Sequence, residues 1–192
     1  MTFILDFFKD MLYKLGIWRK EGKMVFLGLD NAGKSTLLVL LKTGKFTQLE
    51  PTHHSHSEDL LIGNVNISAF DLGGHTAMRK LWRDFYPVIN AIVYIVDAAD
   101  PSRFQESREE FEKITSDSVL GNIPILVLGN KIDKRGAVSE DELRLAMGLA
   151  QSMPYGLQKV DNINGKQVEV FMCCLAKKSG FTDGLNWLTK YI

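Results

Sequence analysis

The stretch Gly28-Leu29-Asp30-Asn31-Ala32-Gly33-Lys34-Ser35 fits the spacing G-x-x-x-x-G-K-[ST], in which glycines let backbone N–H groups close on a polyphosphate. Lys34 would reach the β and γ oxygens, Ser35 would offer a hydroxyl to Mg²⁺, and a helix starting here would add partial positive charge. The plain alternative is a glycine-rich turn, and a strand before the motif with a helix after it argues for the phosphate loop. About a hundred residues on comes Asn130-Lys131-Ile132-Asp133. An ionised Asp133 accepts from the N1–H and exocyclic amine of guanine, which adenine does not offer. Sites built on such bonds reject an analogue lacking them by about 10⁴ to 10⁵. Standing alone, N-K-x-D would be a solvated polar turn; following a phosphate loop, it selects guanine nucleotide over adenine.

A third group is Asp71-Leu72-Gly73-Gly74-His75. Asp71, at a strand end, can hold a water of the Mg²⁺ shell, and the Gly74 N–H can meet a γ-phosphate. His75 follows directly, and an ordinary imidazole is mostly neutral near pH 7 and able to orient an attacking water. Lys34, Gly74 and His75 are therefore the candidate catalytic residues. Upstream, Pro51-Thr52 supplies a hydroxyl placed to ligate Mg²⁺ when GTP is present, so order in that loop would depend on the γ-phosphate. The candidate metal set is Ser35, Thr52, Asp71 and Asp30. Asp30 leaves two options open, reaching the Mg²⁺ shell in the GDP state or pointing to solvent. The candidate nucleotide-binding set is Asp30, Asn31, Ala32, Gly33, Lys34, Ser35, Thr36, Thr52, Gly74, Asn130, Lys131 and Asp133. No arginine has an obvious position to act in cis, so an arginine supplied in trans, worth about 10³ to 10⁵ in rate, is the expected complement. His53, His54 and His56 read as solvent-facing loop residues rather than a zinc site, since no cysteine is near them.

These groups need elements to hold them. Short β-rich runs alternate with helical patterns, which predicts an α/β domain with a mainly parallel sheet. Strands are expected at 24–28, 59–62, 67–71, 91–97, 125–130 and 169–173, six in all. Gly63-Asn64-Val65-Asn66 reads as a hairpin turn, making one strand antiparallel. Helices are expected at 34–42, 102–116, 139–147 with Ser139 and Glu142 as a capping box, and 183–191. Residues 148–166 read as a loop insertion. N-K-I-D then falls at the C-terminal end of a buried strand, where such sheets bind ligands.

The 192 residues carry 23 basic and 23 acidic side chains, and this zero balance weighs against a nucleic-acid partner. Only Cys173 and Cys174 are present, adjacent and in an apolar run, as expected for a reducing, cytosol-facing compartment. No run approaches the roughly 18 apolar residues of a membrane span. The first residues lack a basic n-region, and Thr2 is not the glycine that myristoylation requires. At about 100° per residue, Phe3, Ile4, Leu5, Phe7, Phe8, Met11, Leu12 and Leu15 fall on one arc, opposite Asp6, Lys9, Asp10 and Tyr13. Residues 1–18 therefore read as an amphipathic helix whose Phe3, Ile4, Leu5, Phe7, Phe8, Met11 and Leu12 insert into a bilayer in one nucleotide state and are stowed in the other. A helix packed permanently on its own domain is the plain alternative. Residues 19–192 form the nucleotide-binding domain, with γ-phosphate-responsive segments at about 46–58 and 72–88.

With the phosphate loop, Thr52, D-L-G-G-H and N-K-I-D in register, the chain resembles the small GTPases of the Ras superfamily, and its details resemble the Sar branch. Those details are the missing glycine at position 2, the opening Phe3-Ile4-Leu5-Asp6-Phe7-Phe8 and His75 where the sister Arf branch has glutamine. Residues 51–58, Arg79-Lys80-Leu81-Trp82 and Val170-Phe171-Met172-Cys173 are also Sar-like. The chain departs from the pattern at His53, Ser55, His56 and Cys174-Leu175, where a serine and a small aliphatic residue usually lie beside the guanine; the resemblance thereby adds Cys174 and Leu175 to the nucleotide-binding set. It implies a Ras-like G domain that cycles between GTP and GDP with Mg²⁺ and hydrolyses GTP slowly unless a coat subunit stimulates it. It further implies nucleation of the COPII coat on the cytosolic face of the endoplasmic reticulum, for vesicles bound toward the Golgi. The implied partners are an ER-membrane exchange factor, the inner coat heterodimer with its GTPase-activating subunit, and ER membrane lipid. Two competing readings are an Arf-like recruiter at another membrane, opposed by Thr2 and His75, and a nucleotide-locked scaffold with negligible turnover, opposed by His75.

Overall fold

The computed structural model describes residues 20–47, 49, 56–149 and 161–192. Its centre is built by two strongly apolar runs of the sequence. β4 (Ala91–Asp97) and β5 (Ile125–Asn130) are buried along almost their whole length, as parallel strands covered on both faces must be. They lie between β1 (Lys20–Leu27) and β7 (Lys166–Met172), all four parallel to one another. β3 (Val65–Asp71) adds to the outer side of β1, also in parallel, with Phe26 opposite Asp71. Two antiparallel strands close the edges: β2 (His56–Ile62) on β3, and β6 (Asp161–Ile163) on β7. The order across the sheet is β2-β3-β1-β4-β5-β7-β6.

This corrects two expectations. Residues 148–166 hold not only loop but β6 and the first residue of β7, so the sheet has seven described strands rather than six, and two of them are antiparallel. The hairpin between β2 and β3 turns on Gly63 and Asn64 alone, with Val65 already paired to Ile62.

Alternate side chains of the strands feed two cores. On one face Met24, Phe26, Val93, Ile95 and Leu128 pack with α1 (Lys34–Thr43) and α6 (Phe181–Leu188). On the other, Val25, Leu27, Tyr94 and Val127 pack with α4 (Phe104–Ser116) and α5 (Glu140–Ala146). Two one-turn helices, α2 (Thr76–Arg79) and α3 (Trp82–Phe85), lie between β3 and β4. The Ser139–Glu142 capping box that opens α5 forms as expected, each side chain accepting from the other's backbone N–H. α1 opens differently, with no side chain capping its first turn, so the N–H groups there are available to an anion. Among the described residues, no helix is long and apolar enough to cross a membrane. The helix expected over residues 1–18, and with it Phe3, Ile4, Leu5, Phe7, Phe8, Met11 and Leu12, lies outside the described residues.

Candidate functional site

A cleft of about 340 Å³ opens at the C-terminal ends of the central strands, within the size range of small-molecule sites. Asp30, Asn31, Gly33, Lys34, Ser35 and Thr36 line one wall, Asn130, Lys131 and Asp133 another, and Gly74 and His75 a third. Residues from three separate parts of the chain thus meet where the sequence reading expected. The loop from β1 to α1 turns back on itself at Gly33, whose φ is 114°, and a Cβ there would lie 2.5 Å from the Asn130 Nδ2. Glycine is what allows that amide to approach. Asn130 Nδ2 donates to the Ala32 carbonyl at 2.9 Å, while its Oδ1 accepts from the Leu175 N–H at 3.2 Å and faces the Cys173 thiol at 3.8 Å. One buried side chain therefore ties the phosphate loop to the loop after β7.

Lys131 makes a second tie, donating to the Asn31 carbonyl and to the Asp97 carboxylate, each at 2.6 Å. Asp133 is exposed, and the Cys174 thiol hydrogen-bonded to it holds its carboxyl below the usual range. Burial foremost, then this carboxylate neighbour, pushes the thiol up. Leu175 and Ala176 complete that end of the cleft, and two residues the sequence reading missed, Phe46 and Leu49, line it as well. Both are large apolar side chains left more than 40% exposed. A purine face in that position would cover such surface, but an isolated Phe and Leu in a polar stretch give no periodic signal.

At the phosphate end Lys34 is 5% exposed. Its Nζ donates to the Leu29 carbonyl at 2.8 Å, and burial pushes its ammonium down to about 8, against the pull of Asp71 and Asp30. Gly74 packs directly on the phosphate loop: a Cβ would lie 2.2 Å from the Asp30 nitrogen and 2.6 Å from the Lys34 Nζ. His75 is exposed at the start of α2 and lines the cleft. Asp71, at the end of β3, is 2% exposed. Ser35 and Asp71 supply hard oxygen donors of the kind Mg²⁺ takes alongside phosphate oxygens, so the donor set fits that ion. Thr52, the remaining expected metal ligand, lies outside the described residues, as do His53 and His54. His56 stands exposed on β2, 2.9 Å from Glu58.

Asp30 lines the cleft and is paired with arginine, a contact the sequence did not suggest. Its Oδ1 accepts from Arg103 Nη2 at 3.0 Å, and Arg79 Nη2 is 3.9 Å away. Hydrogen bonding and charge from Arg103 outweigh desolvation and hold the Asp30 carboxyl low. Arg79, marked in the sequence only as part of a Sar-like stretch, and Arg103, which no motif marked, thus come close to the phosphate loop, each engaged by carboxylates. Both are more than 45 residues from Asp30 in the chain, a pairing only the tertiary fold discloses.

The ADP-ribosylation factor family profile matches residues 8–192. The "Small COPII coat GTPase SAR1" of Giardia intestinalis is 41% identical over 189 residues, covering 97% of this chain and 98% of that protein. The protein of the same name from Nicotiana tabacum is 40% identical over 197 residues, covering 99% of each. Among solved structures, the Arl6 (BBS3) small GTPase of Trypanosoma brucei, determined with bound nucleotide analogue GppNp, superposes with a TM-score of 0.72 at 25% identity. That match covers 89% of this chain and 96% of that one.

Proposed function

The chain belongs to the ADP-ribosylation factor family, and we propose that within it the protein is a Sar-type GTPase switch that hydrolyses GTP and initiates COPII coat assembly. The observation that carries this reading is the single cleft in which G-x-x-x-x-G-K-S, D-L-G-G-H and N-K-I-D converge, in a chain about 40% identical along its length to SAR1 proteins. Asp133 selects guanine through its two acceptor oxygens, with Asn130 and Lys131 bracing the base loop against the phosphate loop. Lys34 and the open first turn of α1 take the β- and γ-phosphate charge. The Gly74 N–H meets the γ-phosphate, and His75 orients the water that attacks it. Ser35 and Asp71, with Thr52, would hold Mg²⁺, which when bound neutralises charge on the β- and γ-phosphates. We assign the remaining roles on the same reading. The protein acts on the cytosolic face of the endoplasmic reticulum, an exchange factor in that membrane loads GTP, and the inner coat heterodimer is recruited and supplies the GTPase-activating subunit.

Membrane attachment is assigned to the amphipathic segment 1–18. The γ-phosphate acts on Thr52 and Gly74, which bracket the β2–β3 hairpin, and this layout supports a hairpin that moves on GTP loading and expels the segment from its resting place. A differential affinity of about 2.7 kcal/mol between the two states would change liposome partitioning about a hundredfold. Full-length protein loaded with a non-hydrolysable GTP analogue should float with liposomes while the GDP form stays behind, and deletion of residues 1–16 should abolish flotation and spare nucleotide binding. Equal flotation in both nucleotide states would refute the coupling.

A further inference from the structure

The Gly73-Gly74 segment can offer a γ-phosphate only backbone, and backbone must be aimed by something else. Trp82, 2% exposed, donates from its indole N–H to the Gly73 carbonyl at 3.1 Å. In a trans peptide the carbonyl and N–H point in opposite directions, so this bond sets the direction of the Gly74 N–H. Arg79 Nε donates to the Gly74 carbonyl at 2.7 Å and in the same way sets the next peptide, the one that leads into His75. The rest of the Arg79 guanidinium is spent on α4: Nη2 lies 2.6 Å from Glu106 Oε1, and Nη1 3.4 Å from Glu110 Oε1. Its side chain is 7% exposed.

Glu106 is shared. Its second oxygen accepts from Arg103 Nε at 2.9 Å. Arg103 in turn holds Asp30 of the phosphate loop, through the carboxylate at 3.0 Å and the carbonyl at 3.3 Å. One carboxylate of α4 thus grips, through one arginine each, the two loops that flank the γ-phosphate position. We propose, on the GTPase reading above, that Arg79 is a positioning residue for hydrolysis: it clamps the Gly74–His75 peptide to Glu106 and Glu110 and so fixes His75 relative to the phosphate loop. The planar fork of arginine meets three acceptors in three directions, which the single ammonium of lysine does not reproduce. GDP offers no γ-phosphate for this peptide to meet, so the clamp acts on turnover rather than on holding GDP.

Full-length Arg79→Met and Arg79→Lys proteins test this through single-turnover hydrolysis of pre-bound GTP, GDP dissociation, and thermal midpoints of the GDP forms. Loss of charge-assisted bonds of this kind predicts that Arg79→Met slows hydrolysis about tenfold or more while GDP dissociation stays within about twofold. Arg79→Lys should recover part of the rate, and Glu106→Gln should slow hydrolysis in the same sense, which keeps the test decisive if Arg79→Met does not fold. An unchanged single-turnover rate in Arg79→Met and Glu106→Gln overturns the proposal alone. So does GDP release that accelerates as much as hydrolysis slows, since that marks a merely structural role. Absence of GTP hydrolysis in the wild-type protein overturns this proposal and the GTPase reading together.

Discussion

At the base end of the cleft, Asn130 is the last residue of a fully buried strand and reaches two loops through its own amide. At the γ-phosphate end, Gly74 and His75 follow the strand β3 on a connection whose carbonyls are held by Trp82 and Arg79 from the one-turn helices downstream. The first arrangement draws its rigidity from the sheet, the second from a few side-chain bonds, one made by Trp82 within the same connection and the others carried by Arg79 to α4. Low-stability elements are where proteins place the parts that must move. On the proposed reading, base recognition is built into the fold while the response to the third phosphate is hung on it by replaceable contacts. Substitutions at the base end should therefore change binding of every guanine nucleotide alike, and substitutions at the other end should separate GTP from GDP.

The largest effect is expected at Asp133. Replacing it with Asn removes the acceptor pair for guanine and supplies an amide that can donate to the xanthine O2. GDP affinity should fall on the order of 10⁴-fold, with preference shifting toward XDP. Competition binding with GDP, XDP and ADP checks this, and an unchanged GDP preference would break the base-end half of the comparison. The next effect belongs to His75. His75→Gly should leave GTP and GDP affinities within a few-fold and slow hydrolysis about a hundredfold, the usual order for losing a positioned proton-handling group. Single-turnover hydrolysis beside nucleotide dissociation rates measures it, and an equal turnover rate would exclude a water-orienting role.

Both of those residues were legible in the sequence because their motifs are contiguous and their chemistry needs particular side chains. So were the central strands, whose apolar runs are long, and the capping box at Ser139. The missed strand β6 is three residues long in a Gly- and Asn-bearing stretch, where edge pairing to β7 rather than any period creates the strand. Phe46 and Leu49 were invisible for a related reason: each acquires meaning only from the walls it faces. The Asp30–Arg103–Glu106–Arg79 ring joins three distant parts of the chain, and no local pattern marks which of 23 basic side chains will meet which carboxylate. The resemblance supplied Cys174, and the structure adds its contact with Asp133.

A smaller effect sharpens the other half of the comparison. An added Cβ at Gly74 would fall 2.2 Å from the Asp30 nitrogen and 2.4 Å from the Leu29 carbonyl carbon. Those are backbone atoms of the phosphate loop, which cannot yield as the end of a flexible side chain does. Gly74→Ala should push the segment away and lower affinity for a GTP analogue about tenfold, the worth of one charge-assisted hydrogen bond, while GDP affinity changes little. Dissociation rates of the two nucleotides are the measurement. Equal weakening of both nucleotides would show that Gly74 supports the phosphate loop as a whole and would erase the distinction between the two ends.

The smallest effect concerns Lys34, at the phosphate end. Burial pushes the Lys34 ammonium from its ordinary 10.5 down to about 8; Asp71 and Asp30 pull it back up, and Arg79 and Arg103 add to the fall. Between those two values the unfolded chain binds more protons at this site than the folded one, so Lys34 makes the nucleotide-free protein more stable as pH rises through that window. Nucleotide binding carries the opposite slope. A polyphosphate favours the ammonium, so above about pH 8 binding must take up a proton, and affinity falls as protons become scarce. Between about pH 7 and about pH 8.5 the Kd for GDP should rise about fourfold, with proton uptake visible by calorimetry in buffers of different ionisation enthalpy. Asp133 adds no slope there, because a carboxyl held below its usual range is ionised throughout. An affinity that stays flat across this interval without proton uptake would mean that Lys34 is already fully charged in the empty cleft, leaving no penalty for the phosphates to relieve.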